Sequence, residues 1–301
     1  MNMDMVVKTT RIPQPGETVL GGTFFMNPGG KGANQAIAVA RLGANVAFIG
    51  KIGDDIFGRQ SSQLFQDEGV DIGGLIADED QPSGIALITV DEEGENSIVV
   101  APGANARLYP KDVESAFQYY PDAQILLVQL EIPLDTVRFA AEIAKQKGIT
   151  VILNPAPANK SIPDFYNLID IITPNVTEAE MLTGVKITDN ETALIAARKL
   201  RSFGVPKVII TLGSSGAILL DGDEFHQVEA PKVTAVDTTA AGDVFNGALA
   251  VAISEGKTLP EATAFACKAA SIAVTKLGAQ ASIPYRNEVV LDTFFKTAIR
   301  N

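Results

Sequence analysis

Four short apolar runs constrain this chain more than any other feature: ILLVQL (125–130), ITVIL (149–153), IDIIT (169–173) and KVIITL (207–212). Each is nearly continuous in apolar residues rather than alternating. Strands buried on both faces of a parallel sheet have that pattern. Helical patterns lie between the runs. LDTVRFAAEIAKQKG (134–148) stops at Gly148, and NETALIAARKLRSFG (190–204) stops at Gly204. Parallel neighbours need crossovers, and helices supply them. The alternation therefore predicts an α/β fold with a central, mostly parallel sheet flanked by helices. With 301 residues, 46% of them hydrophobic, the chain can fill such a core as one large domain or two modest ones.

Two segments break the alternation. Residues 4–25 and 83–100 carry β-branched and turn residues and no helical pattern, and GIALITVDEEGENSIVV reads as a hairpin turning around Glu92–Asn96. Residues 1–25 and 83–100 are thus expected to form a small β lid. Residues 26–82 and 101–301 form the body. Ordinary surface hairpins would have the same composition; a lid over a cleft is the sharper reading. A βαβ body usually opens with a buried strand, yet no apolar run precedes MNMDMVV.

The formal net charge is −12, which argues against nucleic acid as a partner. One cysteine, Cys267, excludes an intramolecular disulfide and fits a reducing, cytoplasmic setting. The one histidine, His226, lies in a strand-like stretch, so His-based triads and Cys/His zinc sites are poorly supported. No apolar run approaches the roughly 20 residues of a membrane helix.

Chemistry concentrates in loops that enter helices. In GGKGANQA (29–36), Ala33, Ala36, Ile37 and Ala40 take helical spacing, so Gly29–Asn34 sits at a helix N-terminus, where free N–H groups attract electron-rich ligands. Phe25 and Gly32 occupy places where a Walker A loop needs Gly and Ser/Thr. In DTTAAGDVFNGALAVAISEG (237–256), Val244, Phe245, Ala248, Leu249, Ala252 and Ile253 form one apolar face. Thr239–Gly242 then approaches a second helix N-terminus, with Asp243 in its first turn. That Asp either complements the helix dipole or stands as a base beside an anion pocket. In TPNVTEAEMLTG (173–184), Thr177 and Glu180 read as a capping box, leaving Asn175 and Glu178 for phosphate oxygens or hydrated magnesium. TLGSSGAILL (211–220) reads as a hairpin whose small residues let a nucleotide lie on the backbone.

Taken together, PGGKGANQA, NPAPA, TPNVTEAEMLTG, TLGSSG and DTTAAGDVFNGAL resemble the ribokinase branch of the PfkB carbohydrate-kinase family, nearly end to end. The resemblance implies a ribokinase-like fold whose β lid covers the substrate and forms a homodimer contact. It implies transfer of phosphate from ATP to the 5-hydroxyl of D-ribose, with Mg2+ and a K+ activator. By the same resemblance Asp243 is the general base, and Ala240, Ala241 and Gly242 form the anion hole. Asn2, Met3, Asp4, Gly30, Lys31, Gly32, Ala33, Asn34 and Glu131 match ribose-contacting positions. Asn175, Glu178, Thr211, Leu212, Gly213, Ser214, Ser215, Gly216, Gly242 and Asp243 match ATP-contacting ones. Cys267 stands where relatives carry His or Asn near the adenine. Asp237, Thr239, Ala273, Lys276, Gly278 and Ser282 match the monovalent-cation loop.

Deoxyribokinase, a nucleoside kinase, another sugar kinase, or a truncated ribose-binding protein with little turnover are the alternatives. The resemblance also implies that a first core strand ending in Gly-Ser is missing before Asn2. Asn2 and Asp4 are then expected to hang near a free terminus, and the body to lose stability.

Overall fold

The chain opens with strands β1 (Asn2–Lys8) and β2 (Thr23–Gly29), then helix α1 (Lys31–Arg41), β3 (Ala47–Gly53), α2 (Ile56–Asp67) and β4 (Asp71–Asp78). Strands β5 (Gly84–Val90) and β6 (Asn96–Ala101) follow, then α3 (Pro110–Phe117). The βα alternation continues through β7 (Ile125–Val128), α4 (Leu134–Gln146), β8 (Thr150–Leu153), β9 (Ile171–Ile172), α5 (Val176–Thr183), α6 (Asn190–Ser202) and β10 (Lys207–Thr211). A hairpin, β11 (Ala217–Asp221) and β12 (Glu224–Val228), leads to α7 (Ala241–Ser254), α8 (Leu259–Ala273), α9 (Ala279–Ser282), α10 (Arg286–Leu291) and β13 (Ile299–Arg300). This computed structural model describes residues 1–159, 162–291 and 299–300; the other positions of the expected body lie outside the described residues.

All four predicted strands belong to one seven-stranded sheet of order β13-β12-β11-β10-β9-β8-β7. Strands β7 to β10 pair in parallel, and β11 and β12 turn back antiparallel. The reason for the unbroken apolar runs is visible in the packing. Ile152, Ile209 and Leu219 point into a layer shared with α1, α7 and α8. Val151, Leu153, Val208, Ile210 and Leu220 point into the opposite layer, with α3, α4 and α6. Alternate residues of one strand thus meet two helical layers, so neither face tolerates a polar side chain.

Strands β3 and β4 pair only with each other, in parallel. Phe48 and Ile49 of β3 nonetheless enter the same two layers as Leu127 and Leu126 of β7. The body sheet is therefore in two pieces across a continuous core. Among the described residues, no strand is hydrogen-bonded to both β3 and β7.

The second sheet has the order β2-β1-β5-β6. β1 lies inside it, antiparallel to β2 and parallel to β5 over its whole length. This corrects the expectation that Asn2 and Asp4 hang loose. Asn2 is 5% exposed and its Oδ1 accepts a hydrogen bond from Asn105 Nδ2 at 3.0 Å. The two-residue period of a strand puts Asn2, Asp4 and Val6 on one face and Met3, Met5 and Val7 on the other. The β5–β6 hairpin turns through residues 91–95, and β2 runs on to Gly29, past the boundary drawn at residue 25.

A second correction concerns α7. Its apolar residues do not form one stripe: every residue from Asp243 to Ala252 is buried. Such a helix is enclosed on all sides. α1 lies against it so closely that a Cβ on Gly247 would come within 2.7 Å of Ala38 Cβ and 2.9 Å of the Gln35 carbonyl oxygen. Two helices whose N-termini carry the expected chemistry are therefore locked side by side.

Candidate active site

Open α/β sheets leave a crevice at the carboxyl ends of their parallel strands. Gln129 and Glu131 follow β7, Asn154 follows β8, Thr173 and Asn175 follow β9, and Thr211 ends β10. The N-termini of α1 and α7 open into the same region, and β1 enters it from the second sheet.

The glycines of GGKG make this convergence possible. Gly29 lies against the Asp4 carboxylate, on which any Cβ there would fall. Gly30 has φ 91°, and a Cβ on it would come within 2.9 Å of the Asn2 nitrogen. Positive φ and close approach both exclude a side chain. Lys31 then starts α1, and its backbone N–H donates to Glu131 Oε2 at 2.8 Å. Met3 is 3% exposed on the opposite face of β1, and Ala33 is 1% exposed in the core. Their side chains therefore pack the site rather than line it.

Asp243 is 7% exposed. Asn34 Nδ2 donates to its Oδ2 at 2.9 Å and Gln35 Nε2 to its Oδ1 at 3.0 Å. Burial pushes its carboxyl above the ordinary range, opposed by the Lys31 charge and by those two amides, while Glu131 adds to the rise. Asn34 Oδ1 is buried and has no hydrogen-bond partner. An orphaned buried acceptor costs about 1–3 kcal/mol, so it suits a ligand that brings a hydroxyl donor.

Asp4 is pushed up to about 6, first by burial and then by the negative charge of Glu131. Asp4, Glu131 and Asp243 thus feel one another, with Lys31 the nearby cation that Asp4 and Asp243 share. Three carboxylates and two carboxamides gather around two ammonium groups, those of Lys31 and of the buried Met1 N-terminus, and offer mostly acceptors. That inventory suits a neutral molecule with several hydroxyl donors.

A profile described as pfkB family carbohydrate kinase matches residues 1–286. A protein named ribokinase from Haemophilus influenzae is 44% identical over 290 residues, covering 96% of this chain and 95% of its own. The crystal structure of ribokinase from Thermotoga maritima superposes with a TM-score of 0.86 at 41% identity, covering 96% of this chain and 95% of that one. Arabidopsis thaliana ribokinase, solved with ribose and ATP, gives a TM-score of 0.86 at 34% identity, with coverage of 96% and 95%.

The chain belongs to the pfkB family of carbohydrate kinases.

In this pfkB kinase the expected nucleotide residues fall into two groups. Asn175 and Thr211 form an isolated parallel bridge, which places TPNVTE beside the TLGSSG hairpin. Gly213–Ser215 make one exposed 3-10 turn between β10 and β11, starting after Leu212 and ending at Gly216. Cys267, by contrast, is 4% exposed inside the apolar layer of α8, and burial pushes its thiol to about 12. It packs the wall and offers no exposed polar group.

The capping box at α5 is also corrected. Asn175 caps the helix and Glu178 returns a bond to the Asn175 N–H, whereas Glu180 binds Lys186 and the Ile187 N–H. The Asn side chain is as good a cap as the Thr two residues later, and the sequence holds both spacings. Glu178 therefore has a structural bond. Its carboxyl is raised by burial and still feels Lys31 and Asp243 across the crevice.

At the mouth of α7, Ala240 adopts φ 61°, the left-handed conformation rare outside glycine. The Ala241 N–H donates to the Thr238 carbonyl at 3.2 Å, and Gly242 is exposed with no heavy atom within 4 Å of where a Cβ would stand. Open space thus lies at the expected anion hole. The preceding loop is tied down by Asp237, whose carboxylate accepts from Thr239 N, Thr239 Oγ1 and Gly278 N. The Lys276 ammonium turns to Glu288, Ser282 Oγ donates to the Ala279 carbonyl, and Ala273 is buried at the end of α8. Of the expected cation residues, the side chains of Asp237, Thr239, Lys276 and Ser282 are thus all engaged within the protein.

Sequence reading missed the buried amides behind Asp243. Gln129, Gln35 and Asn154 are joined by hydrogen bonds, and Thr173 Oγ1 donates to Asn246 Oδ1 at 2.6 Å. Asn246 Nδ2 in turn donates to the Gly242 carbonyl. One signal was available: polar residues at 129, 154 and 173 close otherwise apolar strand runs. Among the described residues, no helix is long and apolar enough to cross a membrane.

The acidic cluster makes a prediction about stability. Asp4 keeps its proton up to about pH 6 in the folded chain, but only to about 3.9 when unfolded. Between those values the native state binds more protons, so this group's contribution falls as pH rises from about 4 to 6 and stays lost above. Asp4→Asn should therefore stabilise the chain near pH 8 by roughly 1–2 kcal/mol and change little near pH 4. Urea unfolding of both proteins at the two pH values decides this; an equal effect at both removes the raised Asp4 from the account.

Proposed function

We propose that this chain is an ATP-dependent sugar kinase that phosphorylates D-ribose at its 5-hydroxyl, acting in the cytoplasm. The observation that carries the reading is the convergence of Asn2, Asp4, Lys31, Asn34, Glu131 and Asp243, from four distant stretches of chain, on one acceptor-rich pocket beside the N-terminus of α7. Ribose is neutral and rich in hydroxyls, the chemistry this pocket can pair. A site built to pair each hydroxyl penalises analogues lacking one.

In this reading the 5-hydroxyl donates to Asp243. As its oxygen attacks the γ-phosphorus of ATP, the proton passes to the carboxylate and the bond to the β–γ bridging oxygen breaks, releasing ADP. Burial helps Asp243 here, because a carboxyl raised toward neutrality is a stronger base. The left-handed turn at Ala240 opens the N-terminus of α7 beside the space at Gly242, where the helix dipole would meet charge on the transferred group. The hairpin Thr211–Gly216 and Asn175 flank the nucleotide. Among the described residues, no three acidic, His or Cys side chains are placed to hold a metal ion alone. Mg2+ bound with ATP would neutralise phosphate charge, and Glu178 is the carboxylate that would help to hold it.

Asp243→Asn should keep the fold and bind ribose in a calorimeter, yet lose at least about a hundredfold in kcat by ADP-release assay. Near-normal kcat would return Asp243 to helix capping. Ribose binding without turnover in the wild type would favour a sugar-binding protein, and faster turnover of 2-deoxyribose would favour a deoxyribokinase.

A monovalent cation held by carbonyls of the Asp237–Gly278 loop would order the anion hole, since Asp237 leads directly into Ala240. Potassium should therefore raise kcat and the melting temperature. Equal values in tetramethylammonium at matched ionic strength would sink the idea.

The lid reading also includes a homodimer. Met26, Met5, Leu87 and Val99 align across the four strands of the lid, with Phe24 and Val7 beside them. Val99 is 64% exposed and Phe24 58%. This apolar row points away from the sugar-binding face, and such patches mark association surfaces. Light scattering should give a dimer for the wild type and a monomer for Leu87→Asp with Val99→Asp; a monomeric wild type would contradict it.

A further inference from the structure

We propose that Gln35 is a positioning residue for phosphoryl transfer, fixing the direction in which Asp243 presents its carboxylate to the sugar hydroxyl. The inference rests on the reading of Asp243 as the base. Gln35 is 1% exposed and does not face the crevice. Its Nε2 donates to Asp243 Oδ1 at 3.0 Å and to Asn154 Oδ1 at 3.1 Å, and its Oε1 accepts from Gln129 Nε2. Both donor directions and the acceptor are therefore used.

A carboxamide could turn over and present oxygen to Asp243. The Gln129 donor and the Asn154 acceptor both oppose that, so the amide is held with nitrogen toward the carboxylate. Asn34 and Gln35 differ in kind, though they are neighbours on the first turn of α1. Asn34 holds Oδ2 but keeps a buried, unpartnered oxygen, so it has capacity left for substrate. Gln35 has none left.

One donor alone would leave the carboxylate free to swing about its broad terminal torsion. Two donors on different oxygens fix its plane. Gln129 and Asn154, at the ends of β7 and β8, transmit the sheet's position to that plane. A second tether, Thr173 to Asn246 to the Gly242 carbonyl, holds the first turn of α7 against the end of β9. The charged groups facing Asp243 are Lys31 from α1 and Glu131 after β7, with Asp4 on β1 and Glu178 on α5 also within electrostatic reach.

The test is Gln35→Met, which keeps length and apolar volume but removes every hydrogen bond. At saturating ribose and MgATP, kcat should fall about 10- to 100-fold, the scale of a misplaced catalytic group. The ribose KM should stay within about threefold, because Asn34 and the lid still hold the sugar. Loss of a donor to the carboxylate should move the acid limb of the kcat–pH profile upward by about one unit. A lower melting temperature with an unmoved limb and near-normal kcat would mean that Gln35 only satisfies its own burial.

Should Gln35→Met fail to unfold cooperatively, Gln129→Met decides. It removes one of the two groups that keep the Gln35 amide from turning, so a smaller shift in the same direction is expected, and an unmoved limb overturns the proposal. Asp243→Asn separates the two layers. If that variant keeps normal turnover, the base reading falls and the positioning role with it. If it is inactive while the Gln35→Met limb is unmoved, only the positioning role falls.

Discussion

A charged carboxylate buried between two helices is the constraint on which the rest of this structure depends. Enclosing an unpaired carboxylate costs several kcal/mol even after relaxation. Asp243 is tolerable because Asn34 and Gln35 meet both of its oxygens and Lys31 lies near. Hydrogen bonds to a charged group contribute roughly 1.5–3 kcal/mol each, so the two amides offset much of that cost. They can reach it only if α1 and α7 touch, and the missing side chain at Gly247 lets them. Helix packing and site geometry are here one arrangement: whatever separates α1 from α7 also strands the carboxylate.

The second sheet enters the same arrangement through β1. Hydrogen bonding on both sides gives Asn2 and Asp4 a fixed place, and strand periodicity aims both at the body. The crossing between sheet and body is clamped at residue 83. Asp55 accepts from the Ser83 N–H and hydroxyl, and the Gly53 N–H donates to Ser83 Oγ. Anything that covers the site must therefore bend beyond this clamp, within the strands or their edges.

Much of this was legible in the sequence, and the parts that were not share a cause. The parallel strands showed because burial on both faces leaves unbroken apolar runs. The loop GGKGANQA showed because the positive φ at Gly30 and the close approach at Gly29 demand glycine in places that ordinary turns do not. The capping box at Asn175 was misassigned because local spacing allowed two solutions and only the helix start distinguishes them. The full burial of α7 was invisible because periodicity records how a helix is patterned, not how many neighbours surround it. Gln35, Asn154 and Gln129 were missed for the deepest reason. Each is an unremarkable amide in its own segment, and the meaning of each comes from residues about 100 or more positions away. Asn2 and Asp4 were misjudged as loose because pairing partners at 23–29 and 84–90 are likewise beyond local reading.

An acidic chain that handles a polyanionic donor needs its charges sorted, and the crevice sorts them. In the proposed reading, acceptors collect on the sugar side, where Asp4 and Glu131 would repel phosphate. On the other side lie backbone turns, Asn175 and the open approach to α7, with no exposed carboxylate among the expected nucleotide residues except Glu178. That one carboxylate is already partly neutralised in its preference, since burial raises it. In the same reading Asp243 would stand at the boundary between the two halves, where a group must stand to take a proton from one substrate as the other is attacked. Lys31 lies near both the Asp4 and the Asp243 carboxylates, so it lowers the cost of bringing them together. On that reading no general positive field is needed: a neutral sugar would be gripped by hydrogen bonds, and the phosphates met by dipoles fixed in the fold.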